Sequence, residues 1–448
     1  MVKILNLWVL WALTTLSNRI PIPPAQSHLW IQFNMRTFAL WIALGLGWSQ
    51  AVAEDWPQWR GPRLDGSSQE TSLPINWSVS KQVAWKTALP GKGHSSPIAL
   101  GNRLFVTSCI EETGERLILC LNRKSGAILW QKSPLKSKLE PIHPLNSFAS
   151  ATPASDGNLL FTTFLDYPNM RVFCHDLDGN LRWEATPGTL LSKHGFCSSP
   201  ILFKDTIILN GDQDASGYLV ALEKSTGKVL WRIERPNKTR SYCTPLLLPD
   251  PKDPSITQLV LSGSKCVAGY DAATGKQLWM HNGPTEQYVA SLVHTEGILF
   301  LTTGFPEYHL MGIRADSRGD ITATDRVAWH IPHSVNGPKG ASYVPSPIAT
   351  KDLFFVVSDP GWLGCIEAQS GRRLWMNRLG KHHSASPIIV DGKIYLPDDE
   401  GNTWVVEAGR DFKVLAKNTL PDKFFASPIV SDRHFYLRGL EYLWSVGP

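Results

Sequence analysis

One short segment, Gly217 to Trp231, recurs along the chain, and that recurrence restricts the fold more than any other feature. Tyr218–Leu222 reads as a strand of small and apolar residues. Ser225-Thr226-Gly227 reads as a tight turn, with glycine free to take φ > 0, and Lys228–Trp231 opens a second strand that ends in an indole. The same spacing of polar residue, glycine and tryptophan occurs at Asn122/Gly126/Trp130, Asp271/Gly275/Trp279 and Glu367/Gly371/Trp375. Asp176/Gly179/Trp183 has a turn one residue shorter, Trp329 closes a longer variant, and Glu407/Gly409 opens one that ends near Leu415 without a tryptophan.

A Ser-Pro or Thr-Pro pair opens each unit, at Ser96, Thr152, Ser199, Thr244, Ser346, Ser386 and Ser427, while Ser291-Leu292 takes the remaining place without its proline. An apolar run, a short turn such as Asp156-Gly157 and a second apolar run follow each marker. Each unit therefore has four strands, at a period of about 40 to 56 residues. A lone four-stranded unit cannot bury both faces, so neighbours must stack, and closing the ring removes the exposed edges. The pattern predicts an all-β, eight-bladed β-propeller of four-stranded antiparallel blades. The last unit ends at Pro448, too early for its own tryptophan strand, and Val83–Thr87 supplies the missing one, so the N-terminal strand closes the last blade. Trp85, Trp130, Trp183, Trp231, Trp279, Trp329 and Trp375 are then structural rings wedged between blades.

These markers resemble the tryptophan-docking repeats of the pyrroloquinoline-quinone (PQQ) propeller superfamily, over roughly Trp56 to Pro448. The opening Asp55-Trp56-Pro57-Gln58-Trp59-Arg60-Gly61-Pro62 and the loop Asn210-Gly211-Asp212-Gln213-Asp214 are similar to the PQQ-like repeat proteins abundant in planctomycete-type bacteria. The superfamily holds both quinoprotein dehydrogenases and a non-enzymatic scaffold of outer-membrane protein assembly, so the fold alone does not select a function. The dehydrogenases imply PQQ with calcium and an adjacent Cys-Cys disulfide over the quinone. This chain has no Cys-Cys, and neither a catalytic Asp nor a calcium set is identifiable by position. No nucleophile elbow such as Gly-x-Ser-x-Gly occurs either.

The N-terminus carries export signals. Met35-Arg36, the apolar run Phe38–Gly47 and Ala51-Val52-Ala53 form a secretory signal (residues 35–53) with cleavage near Ala53/Glu54. Residues 1–34 read as an upstream start-site overrun, because the apolar stretch Ile4–Leu16 is too short to span a bilayer comfortably. Residues 54–448 then form one domain in the periplasm or outside the cell, expected to be a monomer with no stable membrane span. Formal charge is +5, of which Lys3, Arg19 and Arg36 supply three, leaving +2 for the propeller and no pull toward nucleic acid. Of the seven cysteines, Cys120, Cys174 and Cys365 fall at one repeat position in separate blades and read as buried thiols. Cys197 and Cys243 are the pair to check for a disulfide.

In a blade of this kind, the second-to-third loops and the blade-to-blade links share one face. Those loops vary, as at Ile110–Arg116 and Gly211–Ser216, whereas the turns on the opposite face repeat, so function belongs on the first face. Lys92, His94, Lys193, His194, Arg240, Lys381, His382 and His383 precede strands that line the central channel, with Lys339 and Lys423 in similar places. A ring of such groups at the channel mouth would attract a small anion. Asp212 and Asp214 could offer oxygens to Ca²⁺, as could Asp398-Asp399-Glu400, but neither stretch completes a calcium loop, and solvated turn acids are the competing reading. The expected role is an exported binding or scaffolding module for an anionic ligand. The alternatives are a PQQ-dependent oxidoreductase and an envelope protein-assembly scaffold with a protein partner.

Overall fold

The computed structural model describes residues 54–448. The expected extension (1–34) and signal (35–53) lie outside the described residues. Eight small antiparallel sheets form a ring, six of four strands and two with a short fifth strand. Blade 1 holds Ile98–Leu100, Arg103–Ile110, Glu115–Asn122 and Ile128–Lys136 in that order. The order repeats around the ring to blade 8, made of Ile429–Ser431, His434–Arg438 and Tyr442–Val446. The outer strand of blade 8 is Val83–Ala88, with Trp85 opposite Ser445 and Thr87 opposite Leu443. The ring therefore closes as the sequence predicts.

Burial follows from the layering. Middle strands have neighbouring blades on both faces, so Leu104–Cys109 and Leu117–Leu121 are buried without alternation. Outer strands meet solvent and alternate, as Val229–Glu234 does. Tryptophans at the start of the outer strands then lock blade to blade. Trp130 Nε1 donates to Leu177 O at 3.1 Å, Trp183 Nε1 to Lys224 O at 2.8 Å, Trp329 Nε1 to Ala368 O at 2.7 Å and Trp375 Nε1 to Gly409 O at 3.2 Å. Each acceptor belongs to the next blade.

Trp279 departs from this pattern. Its Nε1 donates at 2.9 Å to Gln258 Oε1 of its own blade, and the ring is fully buried. The cause is the long hairpin of blade 5, which sends Gly319–Asp320 back along Trp279 and Met280 as a parallel fifth strand.

The segment ahead of blade 8's outer strand crosses one end of the channel. Trp56 exchanges two backbone hydrogen bonds with Ala99 of blade 1, Pro57 O accepts from Ser155 N of blade 2, and Gln58 Oε1 accepts from Leu202 N of blade 3. On the far side, Arg60 reaches carbonyls of blades 6 and 7, and Ser67–Ser68 pairs in parallel with Ile389–Val390. All these contacts lie past the markers, toward the ends of the innermost strands. The channel is thus plugged at the end away from the links.

Candidate functional site: a blind central channel

The eight markers build the channel wall. Ser96 N donates to Thr152 Oγ1 at 3.0 Å, Thr152 N to Ser199 Oγ at 2.9 Å, and Ser199 N to Thr244 Oγ1 at 3.1 Å. Thr244 N donates to Ser291 Oγ at 2.9 Å, Ser291 N to Ser346 Oγ at 3.0 Å, Ser346 N to Ser386 Oγ at 2.9 Å and Ser386 N to Ser427 Oγ at 3.0 Å. The hydroxyl of each blade satisfies the innermost N–H of the blade before it, which explains why the marker needs Ser or Thr. The chain of bonds runs through seven junctions. At the eighth, between blades 8 and 1, Arg438 inserts instead and donates to Ser95 O at 3.0 Å and Ser95 Oγ at 2.5 Å.

Inside this wall lies a cavity of about 500 Å³. Its floor is Trp59 of the plug, and all eight marker hydroxyl residues line it. The residue two positions ahead of each marker forms the tier above, including His94, Cys197, Tyr242 and Phe425. His143, Asn146, His194, Arg240, Gln287 and Tyr343 stand at the mouth. Among the described residues, no Asp or Glu lines the cavity.

The structure divides the residues nominated from sequence. His94, His194 and Arg240 line the cavity, whereas Lys92, Lys193, Lys381, His382 and His383 do not. Lys92 is exposed and pairs with Glu111 at 3.2 Å, and Lys193 and Lys381 are exposed on their links, as are Lys339 and Lys423. His382 Nδ1 lies 2.6 Å from Asp399 Oδ2, and that bond raises its pKa above the ordinary histidine value. His383 is fully buried, with its two ring nitrogens 2.8 and 2.6 Å from Pro397 O and Leu379 O, so it braces the link.

Both readings of the acidic loop need correction. Asp212 is neither a solvated turn acid nor open to calcium: with Arg235 it forms an ion pair at 2.9 Å in which both side chains are fully buried, and Ser241 Oγ donates to it at 2.8 Å. Asp214 pairs with Arg240 at 2.6 Å. Asp398 is buried and caps its turn, accepting from Asn402 N at 2.8 Å and from Trp404 Nε1 at 3.2 Å. All seven cysteines are free thiols. Cys197 and Cys243 are not bonded to each other, and Cys243 Sγ faces Ala290 O at 3.2 Å.

Charge at the site is unevenly compensated. Arg240 is countered by Asp214 and lies 3.4 Å from His194 Nε2, and burial together with the Arg240 charge lowers the pKa of His194. Arg438 is buried and forms no ion pair among the described residues. Burial lowers its pKa to about 9, which leaves it charged at neutral pH. Beside it, burial and the Arg438 charge push the pKa of His94 down to about 4, so His94 is neutral and stacks on Phe425 with ring centroids 4.9 Å apart. Sequence reasoning missed Arg438, Trp59 and the second tier apart from His94. A usable signal for that tier was present in the fixed two-residue step ahead of each marker.

The resemblance implies a quinone with calcium, and the donor set does not fit that pair. Among the described residues, the lining has no carboxylate and no group of three or more His, Cys, Asp or Glu side chains could hold a metal ion.

The chain is 21% identical over 88% of its length to tetrathionate hydrolase of Acidithiobacillus ferrooxidans, covering 75% of that protein. It is 25% identical over 55% of its length to polyvinylalcohol dehydrogenase of a Pseudomonas species, and 23% identical over 48% to the outer membrane protein assembly factor BamB of Shewanella oneidensis. It covers only 35% and 52% of these two proteins. Among solved structures, a europium-containing methanol dehydrogenase matches 87% of the chain and 90% of its own with a TM-score of 0.64 and 13% identity. BamB from Moraxella catarrhalis matches 81% of the chain and 96% of its own with a TM-score of 0.56 and 12% identity. These structural likenesses show the fold. The sequence profile of a PQQ-repeat family, described as outer membrane protein assembly factor BamB, matches residues 72–186, 114–295 and 316–411, and the chain belongs to that family.

Proposed function

We propose that the protein is an exported binding module whose blind channel takes up a small anionic ligand through the link face. The observation that carries this reading is the lining: Arg240, histidines and a ring of hydroxyls, with Arg438 uncompensated beside it and, among the described residues, no carboxylate in the lining itself, Asp214 standing behind Arg240. Preformed concave sites of this size suit small molecules, and a low-dielectric wall strengthens attraction to the buried cations. Exposed Lys92, Lys193, Lys381 and Lys423 lie on the links around this face and would draw an anion toward the mouth.

Export rests on the signal pattern at residues 35–53. No helix among the described residues is long and apolar enough to cross a membrane. Glu54 N lies 2.9 Å from Glu70 Oε1, so cleavage after Ala53 would leave an α-ammonium paired with a carboxylate. N-terminal sequencing of the exported protein should begin at Glu54.

The binding reading is tested by thermal shift at constant ionic strength. Saturable stabilisation by an anion, about 2.7 kcal/mol at a hundredfold excess over Kd, supports it. No shift with carboxylate, sulfate or sulfated-sugar probes contradicts it. A second reading, catalysis on such an anion, is favoured by the likeness to tetrathionate hydrolase over 88% of the chain. Release of thiosulfate or sulfate from tetrathionate would distinguish turnover from binding.

A further inference from the structure

Eight hydroxyls face the channel, and seven of their oxygens already accept a backbone N–H. None of the eight hydroxyl hydrogens finds a protein acceptor among the described residues. A hydroxyl that accepts an N–H becomes a stronger donor, so the ring presents polarised O–H groups with nothing to receive them. Ser346 and Ser386 are only 2% and 4% exposed.

A buried cation lies one residue deeper. The Arg60 guanidinium donates to Pro347 O at 2.5 Å and Pro387 O at 3.5 Å, the carbonyls that immediately follow Ser346 and Ser386. Arg60 is 3% exposed, forms no ion pair among the described residues, and its Nε has no partner. Burial lowers its pKa only to about 10, so it stays charged.

We infer that the arc Ser346–Ser386–Ser427, above Arg60, is the seat of a fully ionised tetrahedral sulfur oxyanion: a sulfate, sulfonate or thiosulfonate group forming the buried head of the channel's ligand. The seat offers O–H donors and a positive field. A hydrogen phosphate brings a hydroxyl of its own, and among the described residues the lining has no carboxylate to accept from it. The inference rests on the anion-binding reading of the channel and assigns the head group and the depth at which it sits.

Isothermal titration of the mature protein, at neutral pH and constant ionic strength set with chloride, tests it with sulfate, thiosulfate, tetrathionate and inorganic phosphate. Saturable one-to-one binding of the sulfur oxyanions is expected, with phosphate weaker by about tenfold or more. Ser386→Ala and Arg60→Gln should each weaken binding by about tenfold or more. Ser386→Thr should keep affinity within about threefold, because Thr152 and Thr244 show that the ring accepts threonine. If binding survives Ser386→Ala and Arg60→Gln unchanged but is lost in Arg240→Gln, the anion sits at the mouth and this inference is overturned while the channel reading stands. If no anion binds saturably, both are overturned.

Discussion

The indole of Trp85 packs directly on Gly126: a Cβ built on that glycine would lie 2.5 Å from the ring, and Trp85 Nε1 donates to Arg123 O at 3.0 Å. Trp85 belongs to blade 8 and Gly126 to blade 1, so this contact is the seam where the two ends of the repeat array meet. Phe435 and Tyr436 on one side and Leu119 and Leu121 on the other belong to one buried cluster, so the seam is a continuation of the core.

Gly126→Ala should therefore cost about 2–4 kcal/mol, because the residue combines φ +73° with a ring against its face. Gly157 has φ +93° but nothing within 4 Å of its Cβ position, and Gly157→Ala should cost only about 1–2 kcal/mol. Denaturant unfolding of the two variants isolates the contribution of the docked indole.

Asp212→Asn should destabilise by about 3–5 kcal/mol, since it leaves the fully buried Arg235 without a counter-charge. Calcium or a chelator should leave the unfolding midpoint of the unaltered protein where it is. A midpoint that rises with calcium would restore the metal reading of this loop.

The ring of eight and its closing strand were legible because strand count and marker spacing are local properties of the chain. The eighth unit visibly lacked a strand, and Val83–Thr87 visibly lacked a unit. The plug was not legible, because Pro57 and Arg60 acquire their roles from Ser155, Pro347 and Pro387, which are distant in sequence. For the channel, the right links were found but the register was not resolved. In the link before blade 1, His94 is two residues from its marker and faces inward, whereas Lys92 is four away and reaches solvent. Asp212 deceived for a different reason. Its loop reads as polar and exposed until Arg235, 23 residues later, folds across it.

His94 gives the fold an acid-side weakness. Its folded pKa of about 4 lies below the ordinary histidine value of 6.5, so between those limits the unfolded chain binds a proton that the folded protein refuses. Stability should fall as pH drops through that window, and His94→Gln should flatten the slope. Arg438→Met should move the His94 titration upward, as read by NMR, because the guanidinium contributes to the depression.

The His382–Asp399 pair works in the opposite direction. Its hydrogen bond raises the pKa of His382, so the stabilisation is fully present below pH 6.5 and is lost as pH rises through the elevated folded value. The melting deficit of His382→Gln should be largest in mild acid and should shrink toward alkaline pH.

The most direct measurement is anomalous diffraction from crystals of the mature protein grown with selenate, a tetrahedral oxyanion whose heavy atom identifies it. The account predicts a selenium peak inside the channel, with oxygens within hydrogen-bonding distance of the Ser346 and Ser386 hydroxyls. Selenate found only on the outer surface, with the channel free of it, would contradict the account.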